Sequence, residues 1–233
     1  MTDYRQWRTI LKLDPARVVS EERLAEVCSW PVDAVIVGGS GGYGSAEVSA
    51  LLERLRRYPL PVGLEVSDLD ALCPDFDLYF VPLVLNSREV EWVVGRQQAA
   101  LKRFGSLIDR QRLIGEGYCI LNPDATAARI ANARTDLDPG DVVAFARLAQ
   151  DLLRLPIFYL EYSGVYGAPG VVAAARAVLS DTLLWYGGGI RAPEQTREMA
   201  AVTDAIVIGN AVYEGFSPFG RDTGYASAPG GMR

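Results

Sequence analysis

The sequence predicts an α/β fold, a modified TIM (β/α)8 barrel, on three observations. Strand-like apolar runs alternate with helical segments along the chain, which is the pattern of a parallel sheet. The 233 residues come close to the ~250 that are typical of one such barrel. Two late apolar runs, in residues 183–191 and 205–214, break abruptly into glycine. The phosphate-binding loops after strands 7 and 8 of these barrels commonly have this form.

Two structural alternatives accompany this interpretation. The late glycines can serve only as tight turns, where they supply a positive φ. A doubly wound open sheet would also alternate strands with helices, but its GxGxxG fingerprint after strand 1 is absent, because that strand ends in LDP. We find no linker and expect a single barrel domain over residues 1–233. Its tail from about residue 218 is rich in Gly, Ser, Ala and Pro, and we expect it to be flexible.

The individual elements follow from local patterns. Short apolar runs that end in Gly, Pro, Asn or Asp predict strands at residues 9–13, 34–37, 62–66, 78–85, 117–121, 157–161, 183–186 and 206–208. Helical spacing of apolar residues predicts helices at residues 20–29, 45–57, 89–103, 141–153, 171–179 and 193–201. Ser20 is the expected N-cap of the first helix, and Pro193 suits the first turn of the last.

The interval between the third and fourth strands is unusually short. Only residues 67–77 separate the two strands, and they include Pro74. A loop, a helix and a second loop do not fit into this length. We therefore expect the third helix to be missing or reduced to a turn.

Composition excludes several classes of function. The chain has no histidine, which removes Ser-His-Asp and Cys-His catalysis, so acid–base chemistry falls to Glu, Asp, Tyr, Lys or Cys. A net charge of −6 argues against general nucleic-acid binding. Three cysteines without a CxxC pair argue against disulfides and a zinc site. No apolar run is long enough to span a membrane, and the first residues lack a signal-peptide core, so we expect a cytoplasmic protein.

The carboxyl ends of the predicted strands carry the candidate site, because active sites of these barrels lie at that end. Polar or glycine residues found there are Lys12, Asp14, Ser40, Glu65, Asn86, Asn122, Tyr159, Glu161, Ser163, Gly189, Gly209 and Asn210. Asp14 and Ser40 could share a Mg²⁺, which prefers a few protein oxygens together with phosphates and water. They could equally be a turn residue before proline and a loop hydroxyl.

Lys12 and Glu161 each stand in an otherwise apolar strand. A lysine at the barrel mouth suits a phosphate as a point charge, and the alternative is a snorkelling lysine. Glu161 precedes Tyr-Ser-Gly and is a candidate acid–base group, and its alternative is a carboxylate paired with an arginine.

Six short segments stand out along the chain, from strand 1 to strand 8. They are KLDP (12–15), GGSGG (38–42), GEGYCILNPDA (115–125), YLEYSG (159–164), GGGIR (187–191) and IGN (208–210). Together they resemble the geranylgeranylglyceryl phosphate synthase family of archaea, which is related to bacterial heptaprenylglyceryl phosphate synthases. The resemblance implies a barrel without its third helix. It implies that the 3-hydroxyl of sn-glycerol 1-phosphate attacks C1 of geranylgeranyl diphosphate and that diphosphate leaves.

The resemblance also implies roles for individual residues. It places glycerol phosphate on Lys12, Tyr159, Leu160, Glu161, Tyr162, Ser163, Gly164, Gly189, Gly209 and Asn210, with Glu161 and Tyr159 as the catalytic pair. It places the Mg²⁺ cofactor on Asp14 and Ser40, where many members have threonine at the second position. Tyr79 and Trp92 are candidates for the wall of a prenyl groove, and a bulky Trp92 would limit the chain to about C20. The alternative for Trp92 is a purely structural role, in which it packs on an apolar helix face.

Other functions remain open at this stage. A sugar-phosphate isomerase or an FMN oxidoreductase would also use phosphate loops after strands 7 and 8, although neither explains KLDP together with YLEYSG. A longer-chain prenylglyceryl phosphate synthase and an inactive phosphate-binding module are further alternatives. We expect transient membrane contact for product release, and a homo-oligomer is compatible with the sequence.

Overall fold

The computed structural model describes residues 2–215 and 217–220 and contains a closed barrel of eight parallel strands in sequential order. The strands are β1 (Thr9–Leu13), β2 (Ala34–Val37), β3 (Val62–Glu65), β4 (Leu78–Val84), β5 (Leu113–Ile120), β6 (Ile157–Glu161), β7 (Leu183–Gly187) and β8 (Ala205–Ile208). Pairing of β8 with β1 closes the sheet, with Thr9 opposite Ile206. The predicted barrel is thus confirmed, and the open sheet is excluded.

Helices cover the outside of the barrel close to their predicted positions. They are α1 (Glu21–Cys28), α2 (Ser45–Leu55), α3 (Arg96–Phe104), α4 (Thr126–Ile130), α5 (Pro139–Arg147), α6 (Pro169–Arg176), α7 (Pro193–Ala200) and α8 (Ala211–Glu214). Wide π-helical turns precede α3 at Glu91–Gly95 and extend α5 at Leu148–Leu152. Short 3-10 turns lie at Tyr4–Gln6 and Arg110–Arg112. Ser20 caps α1 as predicted, because its hydroxyl accepts the Arg23 N–H at 3.2 Å.

The start of the fifth strand differs from the prediction. Strand β5 begins at Leu113, four positions before the predicted start at residue 117. Gly115 and Gly117 lower the strand propensity of this region, but the space they leave is used for packing. A Cβ at Gly117 would lie about 3.1 Å from side chains of Leu85 and Ala149. Tertiary packing therefore overrides the local signal.

The third helix is missing, as the short interval predicts. Between β3 and β4 the described chain runs through turns only. Asp77 fixes the end of this connection, because its carboxylate accepts the Val62 N–H at 2.7 Å and pairs with Arg56 at 2.8 Å. One side of the barrel, beside β3 and β4, is therefore left without its own helix.

Alternation along the strands sorts the core into two layers. Leu11, Val35, Leu64, Cys119 and Leu160 face outward into the apolar layer beneath the helices. The lumen of the barrel holds the other set, in which Trp7, Phe80 and Trp185 pack together with ring centroids 5.3–6.3 Å apart. This aromatic plug fills the lower barrel. Polar side chains occupy the lumen above it, toward the carboxyl ends of the strands.

The last described residues pack on the barrel. Phe219 lies against Trp30 with ring centroids 5.7 Å apart, and the Thr196 hydroxyl donates to the Pro218 carbonyl at 2.7 Å. The predicted flexible tail falls mainly on residues 221–233, outside the described part of the chain. Within the described part, no helix is long and apolar enough to cross a membrane.

Candidate active site

A cavity of about 530 Å³ opens at the carboxyl end of the barrel. Loops or strand ends from every strand contribute to its wall, which explains why polar residues scattered through the sequence meet there. The predicted residues that line it are Lys12, Asp14, Ser40, Tyr159, Glu161, Ser163, Gly164, Gly189, Gly209 and Asn210. Glu65 from the predicted strand ends lines it as well, whereas Asn86 and Asn122 do not, because their side-chain amides donate to the backbone carbonyls of Ile120 and Ser163. The remaining strand-end residues form one continuous surface.

A row of four polar side chains crosses the floor of this cavity. The Lys12 Nζ donates to Glu65 Oε2 at 2.8 Å and to the Tyr118 hydroxyl at 3.2 Å. The Tyr118 hydroxyl in turn donates to Glu161 Oε2 at 2.9 Å. The other Glu161 oxygen accepts the backbone N–H of Ser163. Both carboxylates are thus held in place by a central lysine and a tyrosine, and all four belong to different strands.

Electrostatics set the protonation states in this row. Burial alone would lower the pKa of Lys12, but the Glu65 and Glu161 carboxylates outweigh it and raise the pKa overall, so the ammonium stays charged. Burial and the Glu161 carboxylate raise the pKa of both Tyr118 and Tyr159 well above the ordinary value. Both tyrosines are therefore neutral, and Tyr118 donates to Glu161, whereas the buried Tyr159 hydroxyl has no hydrogen-bond partner among the described residues.

A third carboxyl lies deeper in the lumen. Glu116 is fully buried, and both of its oxygens lack a hydrogen-bond partner within the described residues. Burial, reinforced by Glu65 and Glu161, raises its pKa well above the ordinary value, with Lys12 opposing. Folding therefore favours the protonated form of Glu116 beneath the row, since a buried carboxylate would lose its hydration without gaining a hydrogen bond.

The glycine loops after β6, β7 and β8 converge at one side of the cavity. Gly189 has a φ of +49°, and a Cβ there would collide with the backbone of Val165 and Tyr166. Gly164 (φ +83°) lies beneath the Asn210 carboxamide, whose oxygen accepts from Arg17 at 3.1 Å. Exposed backbone amides and nearby cations are what an anionic phosphate requires.

The two residues predicted as metal ligands follow β1 and β2, next to the loop after β8. Tyr213 fixes the Asp14 backbone, since its hydroxyl accepts the Asp14 N–H at 2.8 Å. The Asp14 carboxylate reaches over Gly39, where any Cβ would collide with it, and so lies beside the loop that carries Ser40. A carboxylate and an exposed hydroxyl are hard oxygen donors at an open cavity wall. This donor set fits a Mg²⁺ that takes its other ligands from phosphate and water.

Four further residues, which the sequence analysis assigned to the glycerol phosphate site or to the prenyl groove, lie elsewhere than expected. Leu160 and Tyr162 belong to the outer apolar layer, because alternate residues of a strand point to opposite faces. Tyr79 is a core residue whose hydroxyl donates to the Cys73 carbonyl. It lines neither this cavity nor the apolar cavity beside β4. Trp92 borders the polar cavity, where the Arg96 guanidinium stacks 4.1 Å from its ring centroid.

Sequence reasoning assigned no role to Glu65, Glu116, Tyr118 or Arg96. Glu65 appeared among the strand ends without a function, and Tyr118 lay inside a segment of the family resemblance. Glu116 and Tyr118 are two positions apart on β5, which is the spacing of one strand face. That spacing is the signal that could have placed both on the same face of the strand.

A second cavity, of about 670 Å³, lies beside β4 and beneath α3, where the third helix is missing. Its wall is almost entirely apolar and includes Val81, Leu83, Val94, Ala100, Leu101, Phe104, Leu113 and Gly115. No residue of α3 or of the π turn before it is buried, because this helix covers the cavity and does not pack closely against the barrel. Val66 and Gln97 line both cavities, which makes the polar and apolar spaces adjacent.

Fold and site define a TIM-barrel protein in which a polar cavity, with glycine loops in its wall, adjoins an apolar cavity. Residues 2–223 match the PcrB family model, and the chain belongs to the PcrB family. It is 50% identical over 216 residues to the heptaprenylglyceryl phosphate synthase of Geobacillus kaustophilus, covering 93% of this chain and 90% of that protein. The relative of the same name from Bacillus cereus is 50% identical over 214 residues, 92% of this chain and 93% of its own length. These relatives make it a family of prenylglyceryl phosphate synthases.

Solved structures agree with the fold. The (S)-3-O-geranylgeranylglyceryl phosphate synthase from Thermoplasma acidophilum, in complex with sn-glycerol-1-phosphate, superposes with a TM-score of 0.78 at 23% identity, covering 91% of this chain and 88% of that one. The enzyme from Thermoplasma volcanium gives a TM-score of 0.75 at 24% identity, covering 92% and 88%.

Proposed function

We propose that this protein transfers a prenyl group from a prenyl diphosphate to the 3-hydroxyl of sn-glycerol 1-phosphate and releases diphosphate. The observation that carries the proposal is the adjacency of the two cavities. One offers cations, carboxylates and open backbone amides, and the other offers an apolar wall. Such a pair suits a substrate with a charged head and a long hydrocarbon tail. Family membership supports the same reaction class.

Glycerol phosphate is assigned to the glycine-loop side of the polar cavity. Its phosphate accepts backbone N–H groups of the loops that carry Gly189 and Gly209, with Asn210 and Arg17 beside it. Its 3-hydroxyl then points toward the row that ends in Glu161. Lys12 supplies a fixed positive charge at the centre of the floor.

Glu161 is the general base of the proposed reaction. The bond between C1 of the prenyl group and the diphosphate oxygen breaks, and the glycerol oxygen forms a new bond to C1. The hydroxyl proton passes to Glu161, a role worth ~10²–10⁴-fold in rate. The Tyr118 hydroxyl holds one Glu161 oxygen in position, and Tyr159 lies in the same wall. The Tyr118 and Tyr159 rings stack on each other 4.6 Å apart, and Lys12 Nζ lies 5.5 Å from both ring centroids, so the π systems hold the ammonium at the cavity floor.

Diphosphate departure requires charge neutralisation. Asp14 and Ser40 would hold a Mg²⁺, which, when bound, acts as a Lewis acid on the leaving diphosphate. Arg96 borders the cavity near the apolar space and adds a second positive charge for this group. Water is kept from the reacting carbon by the prenyl chain itself and by the apolar wall.

The proposed prenyl chain is longer than C20. The 50% identical relatives are heptaprenyl enzymes, which favours C35 over the geranylgeranyl chain suggested by the archaeal resemblance. Ala100 and Gly115 are small residues in the wall of the apolar cavity, whereas Trp92 lies outside it. This arrangement favours Trp92 as a residue of the polar rim. The C20 limit at Trp92 stays an untested prediction that competes with this proposal.

A product assay by mass spectrometry tests the proposed function. The purified protein is offered C15, C20 and C35 diphosphates with each glycerol phosphate enantiomer. We expect an ether product from sn-glycerol 1-phosphate, with C35 preferred, and almost none from the other enantiomer. The Glu161→Gln variant is the control that keeps the shape of the base and removes its charge. Absence of ether product with every pair, or equal rates for Glu161→Gln, would refute the proposal.

A further inference from the structure

An apolar and basic surface lies beside the mouth of the apolar cavity. It is formed by residues 88–112, which we call the rim segment, and which contains the π turn, α3 and the turn that leads to β5. Four of the large apolar side chains that the described structure exposes belong to it, namely Val90, Val94, Leu101 and Leu107. Leu107 is 77% exposed and lies in the turn directly after α3. Exposed apolar residues that cluster in this way mark an interaction surface.

The rim segment differs in charge from the rest of the chain. It contains six Lys or Arg residues against three Asp or Glu, whereas the whole chain contains 23 against 29. Lys102, Arg103, Arg110 and Arg112 are exposed around Leu107. Arg103 also pairs with Asp70 at 2.8 Å, at the protein surface, where such a pair is weak. The rim segment of this acidic protein is therefore basic, and it also carries exposed apolar groups.

We propose that the rim segment docks on an anionic lipid bilayer, with Leu107 entering the headgroup region and the surrounding Lys and Arg side chains contacting lipid phosphates. This proposal rests on the proposed function, because a prenyl diphosphate of this length and its product both reside in membranes. Val94 and Leu101 belong to the rim segment and also line the apolar cavity. Docking would therefore bring the cavity against the bilayer, and the chain could enter without crossing water.

Two properties favour a bilayer over a second copy of this chain. A two-fold contact through the rim segment would bring two basic surfaces together, and such like charges repel. It would also cover Val94 and Leu101 and so close the apolar cavity from which the chain must enter. Anionic lipid satisfies both the positive charge and the apolar side chains.

Co-sedimentation with vesicles tests the proposal without any prenyl substrate, so its outcome is independent of the proposed reaction. The wild-type protein is mixed with vesicles of phosphatidylglycerol and phosphatidylcholine, and with phosphatidylcholine alone. We expect binding to the anionic vesicles, weaker binding to neutral ones, and loss of binding at high salt because exposed charges are screened.

Leu107→Ser is the diagnostic variant, and Leu152→Ser is its matched control. Both leucines are 77% exposed, but Leu152 lies outside the rim segment. We expect Leu107→Ser to weaken partitioning onto anionic vesicles by about tenfold, while Leu152→Ser binds as the wild type does. An Arg110→Gln/Arg112→Gln double variant, which changes no residue of either cavity, should lose the preference for anionic lipid. Turnover with the soluble C10 diphosphate, in the absence of vesicles, should stay unchanged in all three.

Three outcomes would overturn the proposal. The wild type could fail to bind anionic vesicles, or the two leucine variants could bind equally. Alternatively, analytical ultracentrifugation without lipid could show that Leu107→Ser, and not Leu152→Ser, dissociates an oligomer, which would identify the rim segment as a contact between copies. Failure of the reaction itself would instead appear as lack of turnover with the C10 diphosphate in every protein.

Discussion

Lys12 is the residue on which the geometry of the polar cavity depends. It bonds Glu65 directly and Glu161 through Tyr118, so that a single ammonium orients both carboxylates. Asp14, two positions further along, emerges from the same strand end but faces the loop of Gly39 and Ser40. Residues at the end of β1 therefore serve both proposed roles. Lys12 positions the proposed base Glu161 through Tyr118, and Asp14 is the proposed metal ligand, so the two do not compete for one partner.

Replacement of Asp14 by Ala tests the metal assignment. We expect kcat to fall by about 10²-fold or more, because the Lewis acid for the leaving diphosphate loses its charged ligand. Turnover is measured against Mg²⁺ concentration, and circular dichroism shows whether the barrel is retained. Full activity of the wild type in excess EDTA would contradict the assignment, as would a near-normal rate in the folded variant.

Glu116 makes folding stability depend on pH. An acid whose pKa is raised by folding holds a proton that the unfolded chain releases, so stability falls as pH rises above the ordinary glutamate pKa. Glu116→Gln removes this penalty. The variant should gain stability relative to wild type between about pH 5 and about pH 8, at no more than ~1.4 kcal/mol per pH unit. Urea denaturation at both pH values measures the difference, and a gap that does not change with pH would contradict it.

The phosphate loops allow one clean substitution. A Cβ at Gly209 meets only the Lys12 carbonyl oxygen at 3.8 Å, so Gly209→Ala should fold normally and place its methyl in the cavity. We expect KM for glycerol phosphate to rise roughly tenfold or more, with a smaller change in KM for the diphosphate. Gly189 cannot serve in this way, because its Cβ would displace the neighbouring backbone. An unchanged KM in folded Gly209→Ala would remove that loop from the phosphate site.

Sequence patterns located most of these residues but not their orientation. Strand ends identified Lys12, Asp14 and Glu161, because polar residues interrupt apolar runs there. Leu160 and Tyr162 were assigned with them as one segment, although strand alternation turns both outward. Glu116 was missed because parallel strands are buried on both faces, so a single carboxyl gives no indication of which face it occupies.

At the scale of elements, the missing third helix creates the apolar cavity. The interval between β3 and β4 is too short for a helix. The helix that follows β4, α3, lies over the space left open and buries none of its own residues. Counting residues in the sequence was sufficient to predict the gap. The contacts that hold α3 beside this cavity could not be predicted, because they are tertiary contacts such as the Gln97 side-chain amide donating to the Pro82 carbonyl at 2.6 Å.

The roof of this cavity should control chain length. Ala100 lies on α3 and lines the apolar cavity, so Ala100→Phe would fill part of it. We expect the ratio of C35 to C20 turnover to fall roughly tenfold, with little change in KM for glycerol phosphate. Trp92→Ala, outside the cavity, is the comparison variant and should leave that ratio unchanged. A ratio that responds to Trp92→Ala and not to Ala100→Phe would restore Trp92 as the residue that limits the chain.

At the scale of the whole molecule, barrel closure divides the protein into a dry lower lumen and a polar mouth. The aromatic plug of Trp7, Phe80 and Trp185 seals the base, and the row from Glu65 to Glu161 lies above it. The charged head and the apolar tail of the proposed prenyl diphosphate can then occupy two adjacent cavities, which meet at Val66 and Gln97. Repeating strand-helix units predicted the closure, whereas the junction of the cavities depends on the full three-dimensional packing.

A crystal structure with sn-glycerol 1-phosphate and a non-hydrolysable prenyl diphosphate analogue tests this division most directly. We expect the glycerol phosphate between the loops of Gly189 and Gly209, its 3-hydroxyl within hydrogen-bond reach of Glu161, and the prenyl chain in the apolar cavity beneath α3. A phosphate bound away from both glycine loops, or a prenyl chain lying outside that cavity, would contradict the assignment of the two cavities to one substrate pair.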